Sequence, residues 1–239
     1  MGGDKYVCTL SPELLQRAKD EINEDPDRRE ADIEHIRDWL RHQPHINARM
    51  DDWTILRFLR GCKFSLERTK EKLDMFYTCK SLCPEWYKNR DPQDKKLRSI
   101  LELGILLPLT GYDYMGRRVM LGRLGHYNPS KNSANMLFKA LSMVTDCMLE
   151  EDEQASVTGY VAIGDNADMS LSHVYIFTPS IAKKAMVLWQ VRRKSQCAFL
   201  GSKSLTALWD GRWGGHVQGY CNRVGCIMGD RDFHVAFLL

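Results

Sequence analysis

An α/β fold entered through an all-helical amino-terminal cap is what the sequence predicts, on three observations. Four apolar patterns of helical period, parted by Pro, Gly and capping residues, occupy residues 1–90. Beyond them a strand pattern, a long apolar helix pattern and a second strand pattern follow in that order between Arg118 and Ile163. With 239 residues, 44% of them apolar, the chain can bury one sizeable core plus a small helical cap.

The first helix is announced by Ser11 as cap and Pro12 in its first turn. Leu14, Leu15, Ala18 and Ile22 give it a buried stripe, and Asp25-Pro26 stops it. The second carries Ile33, Ile36, Trp39 and Leu40 on one face, charged residues on the others, and ends before Pro44. The third is the stretch around which the chain is organised. Asp51 or Asp52 caps it, Ile55, Leu56 and Leu59 form its apolar side, Arg57 and Arg60 stand on its other faces, and Gly61 ends it. Ser65 then caps a fourth helix running through Leu66, Thr69, Leu73 and Phe76 to Pro84, with Phe64 placed to staple its entry.

Residues 91–117 read as a link rich in turn formers, Asp91-Pro92, Pro108, Gly111 and Gly116, around the apolar run Ile105 to Leu107. Arg118 to Leu124 reads as a strand with Val119, Leu121 and Arg123 on one side. From Asn132 to Glu150 a helix pattern confines its polar residues to a narrow stripe of Asn135, Lys139, Ser142, Asp146 and Glu150, so most of its circumference must be covered. A plain core and one wall of an apolar cavity explain that pattern equally. Val157 to Ile163 reads as a second strand, apolar almost throughout, as in a sheet covered on both faces. Thr178-Pro179-Ser180 opens a last helix that runs to Trp189.

The order Asp51-Asp52, apolar pair, Arg57-Phe58-Leu59-Arg60, Lys63-Phe64 resembles the amino-terminal signature of the CRAL-TRIO family of lipid-transfer proteins, which includes the α-tocopherol and retinaldehyde carriers. The likeness continues through Gly116-Arg117-Arg118-Val119, the strand, His126-Tyr127-Asn128-Pro129, and Asp165, Ser172 and His173, as far as Gln190. It implies that residues 1–90 are the family's helical cap and residues 91–190 the first part of its lipid-binding α/β domain. It further implies a cytoplasmic monomer that binds and transfers a small hydrophobic lipid of the tocopherol or retinoid kind and docks transiently on phosphoinositide-containing membranes. In the family a corresponding helix contributes to the lipid pocket. That points to Phe138, Leu141, Val144, Thr145 and Met148 as lining residues, with Val161 and Ile163 from the second strand. Arg57, Arg60 and Lys63 are then the expected headgroup-phosphate and membrane contacts, although Cys62 stands where the α-tocopherol carriers often have a further basic residue. Asp168 occupies a place usually held by Gly, so a different turn is expected there.

Other classes find less support. The net charge of +3 is uneven: residues 191–239 hold seven basic and three acidic residues, which leaves −1 for residues 1–190, and nothing in this balance calls for nucleic acid. No apolar run approaches the ~20 residues of a membrane span, and Met1 to Tyr6 lacks a signal-peptide character. Gly2 invites a myristoylation reading, but that motif wants Ser or Thr where Tyr6 stands. Eight cysteines without framework spacing read as reduced, mostly buried thiols, and Cys79 and Cys83, four apart with no His nearby, read as packing. Gly111, Gly116, Gly122 and Gly125 do not set a phosphate cradle between a strand and a helix start. Asp165, Asp168 and His173 have the composition of an acid–base or metal cluster, but no nucleophile or further ligand joins them at a convincing spacing; no catalysis, metal or cofactor is expected.

From Val191 to Leu239 the resemblance stops and no periodicity replaces it. His216, Cys221, Cys226 and His234 lack the paired spacing of a zinc site. One codon choice for Gln190-Val191 places CAG before GT, the form of a splice donor, so a truncated isoform with an unrelated, unstructured tail read from a retained intron is expected. A sheet cut short there has an open edge and an exposed apolar face, which predicts poor solubility and weak lipid retention. The alternatives to a carrier are an interaction module and a non-functional truncated product.

Overall fold

The computed structural model describes residues 5–192, 199–202 and 234–235, with side chains as far as Ala185. Helix α1 (Pro12–Ile22) starts where Ser11 accepts the Leu14 N–H at 3.3 Å. It is followed by α2 (Arg29–Arg41), α3 (Asp52–Gly61) and α4 (Leu66–Leu82). Their stripes meet in one core of Ile33, Ile36, Leu40, Ile55, Leu56, Leu59 and Leu73. Each such side chain contributes about 1.5–3 kcal/mol by leaving water. Helix α1 does not join that core. Its Ala18 and Ile22 pack on Val157, far along the chain, so the first helix ties the cap to the body.

Asp51 is the cap of α3, accepting both the N–H and the hydroxyl of Thr54 at 2.9 Å. The turn into α4 is made less by side-chain capping than expected. Ser65 stands at the N-cap without a capping bond from its hydroxyl. Lys63 and Phe64 instead take φ of 54° and 57°, and the Phe64 N–H closes on the Leu59 carbonyl at 2.8 Å. Left-handed backbone costs about 1–2 kcal/mol per residue; the Phe64 ring offsets it by packing on the α3 core.

The link at 91–117 is more structured than its turn formers suggest. Pro84 ends α4 but opens a short helix α5 (Pro84–Tyr87). Asp94 accepts the N–H groups of Lys96 and Leu97 and so starts α6 (Lys95–Leu101), which buries Leu97 and Ile100. Strand β1 (Leu106–Tyr112) follows, containing Pro108. Its place at the sheet edge makes the missing N–H tolerable, and the register is irregular between Pro108 and Tyr112.

Strand β2 (Arg118–Arg123) pairs antiparallel with β1 and parallel with β3 (Tyr160–Asp165). Between them run α7 (Ala134–Glu151) and α8 (Glu153–Thr158). Val157 and Thr158, read from sequence as strand, form the last turn of α8. The Asp152 carboxylate caps that helix by accepting the Ala155 N–H at 2.9 Å, and Gly159 at φ 93° turns the chain into β3. Local capping outweighs the β preference of Val and Thr. After β3 come α9 (Leu171–Tyr175) and α10 (Pro179–Arg192).

The sheet continues past Gln190. Strand β4 (Phe199–Ser202) lies parallel to β3, setting Phe199 beside Ala162 and Leu200 beside Ile163, and β5 (His234–Val235) pairs antiparallel with β4. The edge of β3 expected to be open is therefore taken by residues of the tail. The zinc reading at His216, Cys221, Cys226 and His234 lies outside the described side chains. Among the described residues Cys62, Cys79 and Cys83 are buried and unbridged, and burial pushes the Cys79 and Cys83 thiols up in pKa.

Candidate functional site

The arginines of the third helix look inward. Arg60 is fully buried, and all five of its N–H groups are used: Nε and Nη2 on Glu24 at 2.8 and 3.0 Å, Nη1 on Glu153 and Ser156 at 3.1 and 2.8 Å, and Nη2 on the Tyr6 hydroxyl at 3.0 Å. Burial opposes the charged guanidinium, but hydrogen bonding to Glu24 and the charges of Glu24 and Glu153 outweigh it and raise its pKa. As a phosphate contact Arg60 is thus corrected: no donor is left to face a membrane. Arg57 is largely buried too, its Nη2 donating to Glu150 at 2.8 Å and its guanidinium lying over the Trp53 ring at 5.7 Å. Trp53 in turn donates its indole N–H to the Glu150 carbonyl at 2.8 Å. Both arginines pin the cap to the α7–α8 junction. Lys63 alone of the three expected cations is exposed.

The seven expected lining residues fall in separate places. Phe138 stacks on Trp86, ring centroids 4.6 Å apart, in a cluster with Phe76, Cys79 and Cys83 of α4. Leu141 packs between that cluster and the one formed by Leu97, Ile100 and Leu137. Met148 is buried, while Val144 and Thr145 are half-buried, the Thr145 hydroxyl donating back to the Leu141 carbonyl at 2.8 Å. Val161 and Ile163 share a sheet face with Val119 and Leu121 and pack among themselves and Leu109.

The opposite sheet face differs in character. Register sets Arg118 beside Tyr160, Met120 beside Ala162, and Gly122 beside Gly164. This face carries small residues: a Cβ placed on Gly122 would meet only the Ile163 carbonyl, at 3.8 Å, and Ala162 is buried. Arg118 joins this face to the α7–α8 junction through an ion pair with Asp152, which also accepts from the Tyr112 hydroxyl at 3.1 Å. The alternation that sets Val161 and Ile163 on one face sets Ala162 and Gly164 on the other; the small size of these two was the available signal. Two surface clefts of about 330 and 340 Å³ flank Ser11, Leu14 and Gln154 and touch none of the expected lining residues.

His173 is buried. Its Nδ1 accepts the Ser170 N–H at 3.0 Å, which places the ring proton on Nε2, and Nε2 donates to the Tyr127 carbonyl at 2.7 Å. Asp165 spends an oxygen on the Ala167 N–H at 2.9 Å. The pair serves the turn before α9, and Asp168 keeps the geometry that Gly would give, with φ 63°. Gly125 is required beside it, because a Cβ there would sit 1.9 Å from the Ala167 carbonyl oxygen. On this fixed base α9 buries His173 but projects Leu171, Val174 and Tyr175 into solvent, 74%, 58% and 76% exposed. Sequence reading passed over this short helix. Among the described residues no group of His, Cys, Asp and Glu is arranged to hold a metal, and no helix is long and apolar enough to cross a membrane.

A mixed sheet behind a helical cap, with these landmarks, defines the class: residues 104–192 match the CRAL/TRIO domain family, residues 25–97 match the family described as "Pinta-like, UBA domain", and the chain belongs to the CRAL/TRIO family. It is similar to the alpha-tocopherol transfer protein-like protein of Homo sapiens, 31% identical over 186 residues, covering 77% of this chain and 54% of the relative. The mouse counterpart shows 31% identity over 186 residues, with 77% and 53% covered. Clavesin-1 of Pongo abelii shows 31% over 178 residues, with 74% and 50% covered. The chain spans about half the length of the curated relatives it matches.

Proposed function

We propose that the protein binds a small hydrophobic lipid of the tocopherol or retinoid kind and carries it between membranes in the cytoplasm, as a monomer and without catalysis. Family membership supports lipid binding, and the name of the alpha-tocopherol transfer protein-like relatives supports a tocopherol-like ligand. Gly122, Ala162 and Gly164 share one face of the sheet, and their small size suits the floor of a lipid site. Transfer also needs contact with a bilayer, and the observation that carries this part is α9, where Leu171, Val174 and Tyr175 stand at helical spacing in solvent. Held by His173 and Ile176 on its buried side, α9 presents a rigid apolar face that enters the lipid headgroup layer. Phosphoinositide docking then draws on exposed cations such as Lys63, while Arg57 and Arg60 hold the cap in place.

The test is transfer of a fluorescent tocopherol from donor to acceptor vesicles, with and without phosphoinositide, together with vesicle sedimentation. Replacing Leu171, Val174 and Tyr175 by Ser removes three apolar contacts of about 1 kcal/mol each, so vesicle binding is expected to fall by more than tenfold at unchanged thermal stability. Equal transfer by the variant refutes the role of α9. No lipid uptake by the folded wild-type chain refutes the carrier reading.

A further inference from the structure

Among the described residues His173 is the buried histidine, 5% exposed, while His35, His42, His45 and His126 stand in solvent. Both of its ring nitrogens are committed. The Nε2–H donates to the Tyr127 carbonyl at 2.7 Å, and the Nδ1 lone pair accepts the Ser170 N–H at 3.0 Å. The first bond fastens α9 to the segment that follows β2. The second belongs to the capping box that starts α9. The helix that projects Leu171, Val174 and Tyr175 is thus held at its origin by one imidazole.

A single proton reverses the second bond. With a proton on Nδ1 the ring has two donors and no acceptor, and the Ser170 amide points its N–H at another N–H. The Ser170 hydroxyl, also 3.0 Å from Nδ1, can turn a lone pair to the new proton, but the amide is fixed by the backbone. The groups around the ring do not answer the charge. In the turn before α9, Asp165 is bonded to the Ala167 N–H and Asp168 is exposed. The segment after β2 brings exposed His126 and the Tyr127 phenol, which burial keeps protonated and which donates to the Ser133 carbonyl at 2.7 Å. On α9 itself Ser172 and Tyr175 are exposed. The α6 and α7 side chains that meet Ile176 are apolar, Leu97, Ile100, Leu137 and Ala140, while Arg98 and Glu102 pair with each other in solvent. Among the described residues the histidine in an ion pair is His45, with Asp74 at 2.7 Å. An imidazolium in water meets neither the crowded amide nor the burial, so acid favours the state in which His173 has left its place.

We propose that His173 is a pH latch on α9. Neutral, it holds the helix so that Leu171, Val174 and Tyr175 stand as one face; protonated, it lets α9 go, and vesicle binding through that face is lost. The inference rests on the docking role of α9 and adds its regulation.

The experiment follows hydrogen exchange of the full chain by mass spectrometry, corrected for the intrinsic rate, from about pH 8 to about pH 5.5, above the ordinary carboxylate range. Sedimentation with anionic phospholipid vesicles runs alongside. Protection over residues 170–177 is expected to fall by about tenfold or more at the acid end, with α7 unchanged and vesicle binding falling together with α9. His173→Asn, whose amide oxygen accepts but takes up no proton in this range, is expected to flatten the profile. Ser170→Ala removes the hydroxyl that can receive the new proton and is expected to move the loss to higher pH. Should His173→Asn leave α9 unprotected at every pH, Ser170→Ala decides alone. Protection of α9 that acid does not change in wild type, or a loss that neither variant alters, refutes the latch. Lost protection with vesicle binding unchanged refutes its control of docking. Wild type that binds no vesicles at about pH 8 overturns the docking role of α9 itself, and the exchange profile then still decides whether the latch exists.

Discussion

Replacing Arg60 by Met keeps the length and most of the volume of the side chain but removes every hydrogen bond it makes. Glu24, 1% exposed, loses two of its bonds and retains Arg29 Nε at 2.7 Å; Glu153 loses one and retains the Thr9 N–H at 2.9 Å. Breaking a buried ion pair from one side costs about 3–5 kcal/mol. The surviving partners place Arg60→Met near the lower end, about 3 kcal/mol. For a folded region of this length each kcal/mol is about 2–4 °C, so the melting temperature is expected to fall by about 6–12 °C. Circular dichroism with heat and urea measures this directly. Arg60→Lys is expected to recover little, because an ammonium offers three donors and no planar fork. Vesicle binding, measured well below the melting point of the variant, is expected to match wild type. A loss below about 1 kcal/mol, the range of a solvent-exposed ion pair, or a selective loss of vesicle binding at unchanged stability, would refute the placement of Arg60 inside the seam.

Two other perturbations test the same framework. Gly125→Ala sets a methyl group 1.9 Å from the Ala167 carbonyl oxygen and 3.1 Å from two backbone carbons; a loss of about 1–3 kcal/mol with faster proteolysis around α9 is expected, and an unchanged urea midpoint contradicts it. The acid limb is set in part by Glu153. Burial works to raise its pKa, but hydrogen bonds from Thr9 and Tyr6 and the charge of Arg60 hold it below the ordinary 4.5. A depressed carboxylate stabilises above its unfolded value, so its contribution is fully present above 4.5 and is lost as pH falls through the lower folded value. Melting temperatures from pH 7 to pH 3 should drop less steeply in Glu153→Gln than in wild type below that point; parallel curves count against it.

The helices of the cap were legible because their signal is local. Ile33, Ile36 and Leu40 follow one another at steps of three and four residues, and Ser11 and Asp51 lie beside the N–H groups they accept. Strand β1 was not, since Pro108 and Gly111 break its pattern and only its edge position makes them acceptable. Spacing placed Arg60 on a face of α3 but could not show Glu24 and Glu153, 36 and 93 residues away in sequence, waiting there. The helix at 132–150 was rightly seen as mostly covered, yet a nearly apolar circumference does not say which side meets which neighbour; Phe138 turned to Trp86. His173 was seen as a landmark, but its partner, the Tyr127 carbonyl, lies 46 residues away.

The α7–α8 junction has a further consequence. Within four residues, Glu150, Asp152 and Glu153 collect Arg49 and Arg57, then Arg118 and Tyr112, then Tyr6, Thr9 and Arg60. Amino-terminal segment, cap helix and sheet are thereby measured against one short ruler. Inserting or deleting a single residue inside it would change the spacing between the end of α7, the Asp152 cap and the start of α8, and so misalign the attachments on either side of it. A cap exchanged with that of a relative would have to bring residues 150–153 along, although they lie some sixty residues beyond the cap's own end.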